Sequence, residues 1–95
     1  MIVDDEAGPR QTLEMLFKDD YSIRLAESGR EAIEITAHQT VDVAIVDLRM
    51  PDMSGIQTLS QLKRIDPAIE VMILTAFETL ETARQALRLG ACDYL

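Results

Sequence analysis

The sequence predicts an α/β fold built on a parallel sheet, and three observations carry that prediction. Short apolar runs at residues 1–3, 43–46 and 71–74 each stop at a polar residue, as buried strands do. Stretches with apolar residues at helical spacing separate them. The alternation reads βαβαβαβαβ, which demands parallel strands joined by right-handed helical crossovers.

Taken in order, residues 1–3 stop at Asp4-Asp5-Glu6 and read as the tail end of a buried strand whose beginning lies outside the sequence. Pro9 suits the first turn of a helix, and Leu13, Leu16 and Phe17 recur at helical spacing to about Lys18. From Tyr21 to Ala26 the pattern alternates, Ile23 and Leu25 against Ser22 and Arg24, which marks a less buried strand at a sheet edge. Ser28-Gly29-Arg30-Glu31 reads as a capping box that opens a second helix carrying Ala32, Ile33, Ile35 and Ala37. His38, at its end, is expected to face solvent, because no His or Cys lies at metal-ligand spacing from it.

Residues 43–46 have no polar break, as expected for a strand covered on both faces, and they deliver Asp47 to the strand's carboxyl end. Met50-Pro51 prevents a direct slide into helix. Ser54-Gly55-Ile56-Gln57 is then a second capping box, opening a helix with Ile56, Leu59 and Leu62 that Asp66-Pro67 ends. Residues 71–74 form another unbroken strand, ending in Thr75-Ala76. Thr79 is the expected N-cap of a fourth helix with Leu80, Ala83 and Leu87 on one face, and Gly90 is placed to close it. Ala91 to Leu95 begins a fifth strand. The unbroken runs belong in the centre of the sheet and the alternating one at an edge, which favours the flavodoxin-like doubly wound order 2-1-3-4-5.

Ninety-five residues, 47% of them hydrophobic, make one small domain (residues 1–95) with an ample core. Nine Lys and Arg against seventeen Asp and Glu leave a net charge of −8. A chain so acidic repels polyanions, so direct nucleic-acid binding by this segment is not expected. Cys92, the single cysteine, has no partner for an internal disulfide and reads as a small reduced core residue. No apolar run approaches the length that spans a bilayer, and the start lacks a basic leader region, so a cytoplasmic location without membrane contact is expected.

In an open α/β sheet the carboxyl ends of the strands form the rim where ligands bind. If strands one, three and four are neighbours, that rim gathers Asp4, Asp5, Asp47 and Thr75. Two unit charges 4 Å apart repel by about 4 kcal/mol at an effective dielectric near 20, so such a cluster needs a bound cation or a proton held at a raised pKa. All-oxygen ligands favour Mg²⁺, or Mn²⁺ or Ca²⁺, over zinc or copper. A carboxylate beside a hard cation and a hydroxyl donor is equipped as a nucleophile for phosphoryl transfer. Each residue alone has a plainer reading: Asp4 or Asp5 as a helix cap, Thr75 as a strand hydroxyl bonded to backbone. Their convergence is what singles them out.

Four stretches then resemble the receiver domain of bacterial two-component response regulators: Val3-Asp4-Asp5-Glu6, the run from Val46 to Gly55, Leu74-Thr75-Ala76, and Gly90-Ala91-Cys92-Asp93-Tyr94-Leu95. The resemblance spans the whole chain. It implies that Asp47 accepts a phosphoryl group from a phosphohistidine on a sensor histidine kinase or phosphotransfer protein. It also implies that Asp5 and Asp47 ligate Mg²⁺ directly, with Asp4 helping through water and the Arg49 backbone carbonyl completing the site. Thr75 matches the hydroxyl residue that binds the phosphoryl oxygen, and Tyr94 the aromatic that turns inward with it. Met50, Pro51 and Gly55 would shape the active-site turn. Arg49 and Phe77 occupy positions that modulate how long the phosphate survives.

The resemblance further implies a regulatory phospho-acceptor, not an enzyme with an external substrate, though one that assists its own phosphorylation and dephosphorylation. It implies an output domain or protein outside this chain, with a transcription activator as the nearest analogy, and a dimer contact through the fourth helix and fifth strand. One departure stands out. The family's lysine-proline pair after the residues matching Tyr94-Leu95, and its fifth helix, have no counterpart here, so the domain is expected to be incomplete, with one sheet face exposed and marginal stability. Two alternatives remain open at this level: a pseudo-receiver that binds partners without phosphorylation, and a Mg²⁺-dependent aspartyl-phosphate hydrolase. The hydrolase is disfavoured, because Arg49 stands where such enzymes carry a second acid and 95 residues leave no room for a cap.

Overall fold

In the computed structural model the described residues are 1–51, 53–74, 80–91 and 93–94, with the side chains of 80–82 and 93–94 left aside. The elements follow in the expected order: β1 (Ile2–Val3), α1 (Ala7–Phe17), β2 (Leu25–Ala26), α2 (Gly29–His38), β3 (Val43–Asp47), α3 (Gly55–Ile65), β4 (Glu70–Leu74), α4 (Leu80–Arg88) and β5 (Asp93–Tyr94). All neighbouring strands pair parallel, in the order β2-β1-β3-β4-β5. The edge position read from the alternation at residues 21–26 is therefore correct, although only Leu25–Ala26 enters the ladder.

Register follows from the apolar pattern. Val3 lies beside Val46, and Val46 beside Ile73, so one face of the sheet carries Val3, Ala44, Val46, Val71 and Ile73, all essentially inaccessible. These pack with Ala32 of α2, Leu59 and Leu62 of α3, and Ala86 of α4 in one core cluster. Burying a Leu or Ile side chain of this kind contributes about 1.5–3 kcal/mol, so this face supplies most of the apolar stabilisation.

The opposite face is more open, in line with the exposed face expected of a chain with no counterpart to the family's fifth helix, but against the reading of residues 43–46 as covered on both sides. Both β3 and β4 alternate between fully buried and part-exposed residues, and Val43 is 41% exposed. The reason is geometric. Three helices pack on the first face, whereas α1 contributes no buried residue, and Met15 and Leu16 are 69% and 65% exposed. An apolar run records what both faces of a strand could bury. Which helices are at hand decides what they do bury.

Two caps behave as the sequence predicts. Ser54 and Gln57 form the full reciprocal capping box of α3. Gly90, at φ 105°, ends α4 with its N–H on the Leu87 carbonyl, while the Ala91 N–H reaches the Ala86 carbonyl, the paired bonds of a Schellman motif. Two other expectations need correction. The Ser28 hydroxyl accepts from the Glu31 N–H, but the Glu31 carboxylate accepts from the Glu27 N–H, so α2 has half a capping box. The inward face of α4 runs through Ala86, fully buried, and not through Leu87, which is 53% exposed. Successive residues of a helix lie about 100° apart around its axis, so with Ala86 in the core cluster Leu87 is turned away from it. The expected N-cap Thr79 and the core cysteine Cys92 lie outside the described residues. His38 is exposed, as expected, with Nδ1 3.0 Å from the Glu34 carbonyl oxygen of its own helix.

Candidate functional site

The sheet register assembles the site. Val3 pairs with Val46, so Asp4, the next residue along, emerges beside Asp47, the last residue of β3. Asp5 follows on the loop into α1. One carboxylate oxygen from each of Asp4, Asp5 and Asp47 lies within 4.8 Å of the other two. Asp4 is buried, Asp47 half-buried and Asp5 exposed, so the cluster opens to solvent on one side.

Local backbone fixes two of these side chains. The Glu6 N–H donates to Asp4 Oδ1 at 2.9 Å, and the Arg49 N–H donates to Asp47 Oδ1 at 3.4 Å. Each is a short turn in which a carboxylate accepts from the amide two residues on, a habit of aspartate at strand ends. After β3 the chain folds back, and the Gly55 N–H donates to the Leu48 carbonyl at 2.8 Å. A Cβ on Gly55 would stand 2.5 Å from the Asp47 carbonyl oxygen and 2.6 Å from Leu48 Cα. Only a residue without a side chain lets α3 start this close to the strand that carries Asp47. Met50 packs half-buried against the core, and Pro51 is exposed on the same turn.

The electrostatics are those of crowded acids. Burial, foremost, pushes the Asp4 carboxyl above the ordinary aspartate range; the Glu6 amide opposes this, Asp5 adds to it, and Arg10 opposes it. Asp47 is raised as well, first by burial and then by the charge of Asp4, with the Arg49 amide pulling the other way and Asp5 and Glu6 adding smaller pushes. Three oxygen donors converging from one side, with an open side left for water or substrate, fit a hard divalent cation and not a thiophilic metal.

Of the other residues singled out in the sequence, Leu74, which precedes Thr75, pairs with Asp47 across the sheet. Thr75 and Phe77 themselves lie outside the described residues, as does the Tyr94 side chain, whose backbone pairs with Ile73 at the end of β4. Arg49 is exposed on the loop that leaves Asp47. Lys18, just past α1, is exposed, and the Lys63 ammonium on α3 donates to the Ile69 carbonyl at 2.7 Å.

One residue was missed in the sequence. Arg10 sends Nη1 to the Asp4 carbonyl at 2.8 Å and Nη2 to Glu27 Oε1 at 3.5 Å. A signal existed: a cation in the first turns of a helix opposes the positive end of the helix dipole. Its presence there points to acids nearby.

The family model described as "Response regulator receiver domain" matches residues 1–95. The transcriptional regulatory protein ZraR of Escherichia coli K12 is 43% identical over the whole chain, which covers 22% of that protein. The regulatory protein AtoC of the same organism is 38% identical, with 21% of its length covered. The chain thus spans about a fifth of these curated relatives. Among solved structures, a Burkholderia pseudomallei response regulator with a phosphorylated aspartic acid, calcium ion and citrate superposes with a TM-score of 0.91 at 28% identity, covering 99% of this chain and 56% of that one. A chain of the CheX-CheY-BeF3-Mg²⁺ complex from Borrelia burgdorferi gives a TM-score of 0.89 at 26% identity, covering 99% of this chain and 73% of that one.

Proposed function

The chain belongs to the response regulator receiver domain family, and on that premise we propose that it is a signalling switch charged by phosphorylation of Asp47. The observation that carries this reading is the convergence of three carboxylate oxygens within 4.8 Å at the ends of adjacent strands, with Asp47 the last residue of the central one.

In the proposed reaction an Asp47 carboxylate oxygen attacks the phosphorus of a phosphohistidine on a sensor kinase or phosphotransfer protein. The phosphorus–nitrogen bond breaks, the imidazole nitrogen keeps the electron pair and takes up a proton, and an acyl phosphate remains on Asp47. Asp5 and Asp47 would hold Mg²⁺ or Mn²⁺ with Asp4 assisting and the Arg49 carbonyl completing the set. Such a cation, when bound, neutralises the incoming phosphoryl oxygens. Asp4 contributes by burial and by its hydrogen bond to the Glu6 amide, which hold its carboxylate toward the site. Gly55 keeps the β3–α3 turn, with Met50 and Pro51, tight against the strand end, so the side chain of Asp47 faces an open rim.

Thr75 is assigned the hydroxyl that bonds a phosphoryl oxygen, Tyr94 the aromatic that follows it, and Arg49 and Phe77 the control of phosphate lifetime. The added charge of about −2 enters a cluster already rich in acids, and relieving it by moving the loops after β4 would alter the surface of α4 and β5. That surface would meet an output domain, as the transcription-regulator relatives suggest, or a second copy. Among the described residues no helix is long and apolar enough to cross a membrane; a cytoplasmic site of action is part of this proposal.

The test is incubation with phosphoramidate and Mg²⁺ followed by intact mass. One phosphoryl group should be added, and Asp47→Asn should abolish it. Absence of phosphorylation, or its persistence in Asp47→Asn, would overturn the assignment.

A further inference from the structure

We propose that Arg10 is a positioning residue for the cation site, acting through the peptide that joins Asp4 to Asp5. This rests on the reading that those acids hold a divalent cation.

The Arg10 side chain is only 11% exposed, although it lies near the start of α1 on an otherwise poorly buried helix. Its position is not explained by helix stability, because a cation at that end opposes the helix dipole. Its contacts do explain it. Nη1 donates to the carbonyl oxygen of Asp4 at 2.8 Å, and that carbonyl belongs to the peptide unit linking the two acids. The amide of Asp4 is held from the other direction by the Ala26 carbonyl, and its Oδ1 accepts from the Glu6 N–H. With the guanidinium in place, both sides of Asp4 and the exit direction of Asp5 are set. Nη2 reaches Glu27 Oε1 at 3.5 Å, so the same fork ties the β1–α1 loop to the β2–α2 loop. Glu27 is 71% exposed, and the pair contributes little as a surface ion pair; its effect is to orient the fork.

Charge and position make opposite predictions here. As a charge, Arg10 repels a divalent cation, so neutralising it should tighten binding. As a positioning residue it preorganises the acids, and its loss should weaken binding. Partners of this kind behind metal ligands typically change affinity by about 10-fold or more.

The experiment counts free Mn²⁺ by electron paramagnetic resonance in the full chain, with Mg²⁺ competition, alongside a thermal melt of each variant. Arg10→Met and Arg10→Gln should bind Mn²⁺ about 10-fold more weakly than wild type, and Arg10→Lys, which keeps the charge and one donor, should fall between. Neutral variants that fold and bind as tightly as wild type or tighter would overturn the proposal. So would failure of both neutral variants to fold, because the role would then be structural. Asp5→Asn separates the two levels: wild type that binds no Mn²⁺, or binding that survives in Asp5→Asn, sinks the cation site itself, whereas an intact site indifferent to Arg10 sinks only the positioning role.

Discussion

Replacing Asp47 with asparagine should stabilise the metal-free chain. The three carboxylate oxygens lie within 4.8 Å of one another. Two unit charges at that separation repel by about 3.5 kcal/mol at an effective dielectric near 20 and by about 0.9 kcal/mol in bulk water. Asp47 is half-buried and Asp5 exposed, so solvent screens much of the repulsion and a net gain of about 1 kcal/mol is expected. For a domain of this size that is a rise of about 4–8 °C in melting temperature. The sign with pH follows from the raised pKa of Asp47, caused first by burial and then by Asp4. Native protein holds the proton more tightly than the unfolded chain, so wild-type stability falls as pH climbs from the ordinary aspartate value of 3.8 through the raised native value. The advantage of asparagine should be full near neutral pH and vanish below 3.8. Mg²⁺ should shrink or reverse it, because a ligand bound only by the native state stabilises wild type by mass action. Thermal melts by circular dichroism at both pH values, with and without Mg²⁺, decide the matter. An Asp47→Asn variant that melts at or below wild type in metal-free buffer near neutral pH would refute the crowded-acid argument.

Two further predictions concern packing. Gly55→Ala should cost about 1–3 kcal/mol by overpacking, because its Cβ would meet Asp47 and Leu48 backbone atoms at 2.5 and 2.6 Å; a chemical melt reads the loss, and the phosphoramidate reaction should slow in parallel. Leu59→Ala, in the fully buried core, should cost about 2–5 kcal/mol, whereas Leu16→Gln, at a position 65% exposed, should stay within about 0.5 kcal/mol of wild type. Equal costs at the two leucines would mean that α1 is buried in solution.

Much of the fold was legible because its signals are local. The alternation around Ile23 and Leu25 marks an edge strand, the Ser54 and Gln57 pair marks a helix start, and Gly90 marks a helix end; each depends on neighbours a few residues away. Asp47 could be placed on the rim for the same reason, as the first polar residue after an unbroken strand. Other features escaped because they depend on what lies across space. The rotation of α4 that buries Ala86 and exposes Leu87 depends on which stripe of the helix meets its neighbours, and the pattern of Ala and Leu along the helix leaves that undecided in the sequence. The Glu31 carboxylate could reach either of two amides, and the path of the chain before α2 selects Glu27.

The sequence by itself determined the order of the elements, the parallel pairing and the identity of the acids at the strand ends, because periodicity, caps and chain connectivity are written along the chain. Only the tertiary structure decided that Asp4, Asp5 and Asp47 meet within 4.8 Å, that the guanidinium of Arg10 grips the peptide between two of them, and that α4 turns Ala86 inward and Leu87 outward. Those outcomes depend on strand register and on which helix packs where, and both are settled only when distant segments compete for the same apolar surface.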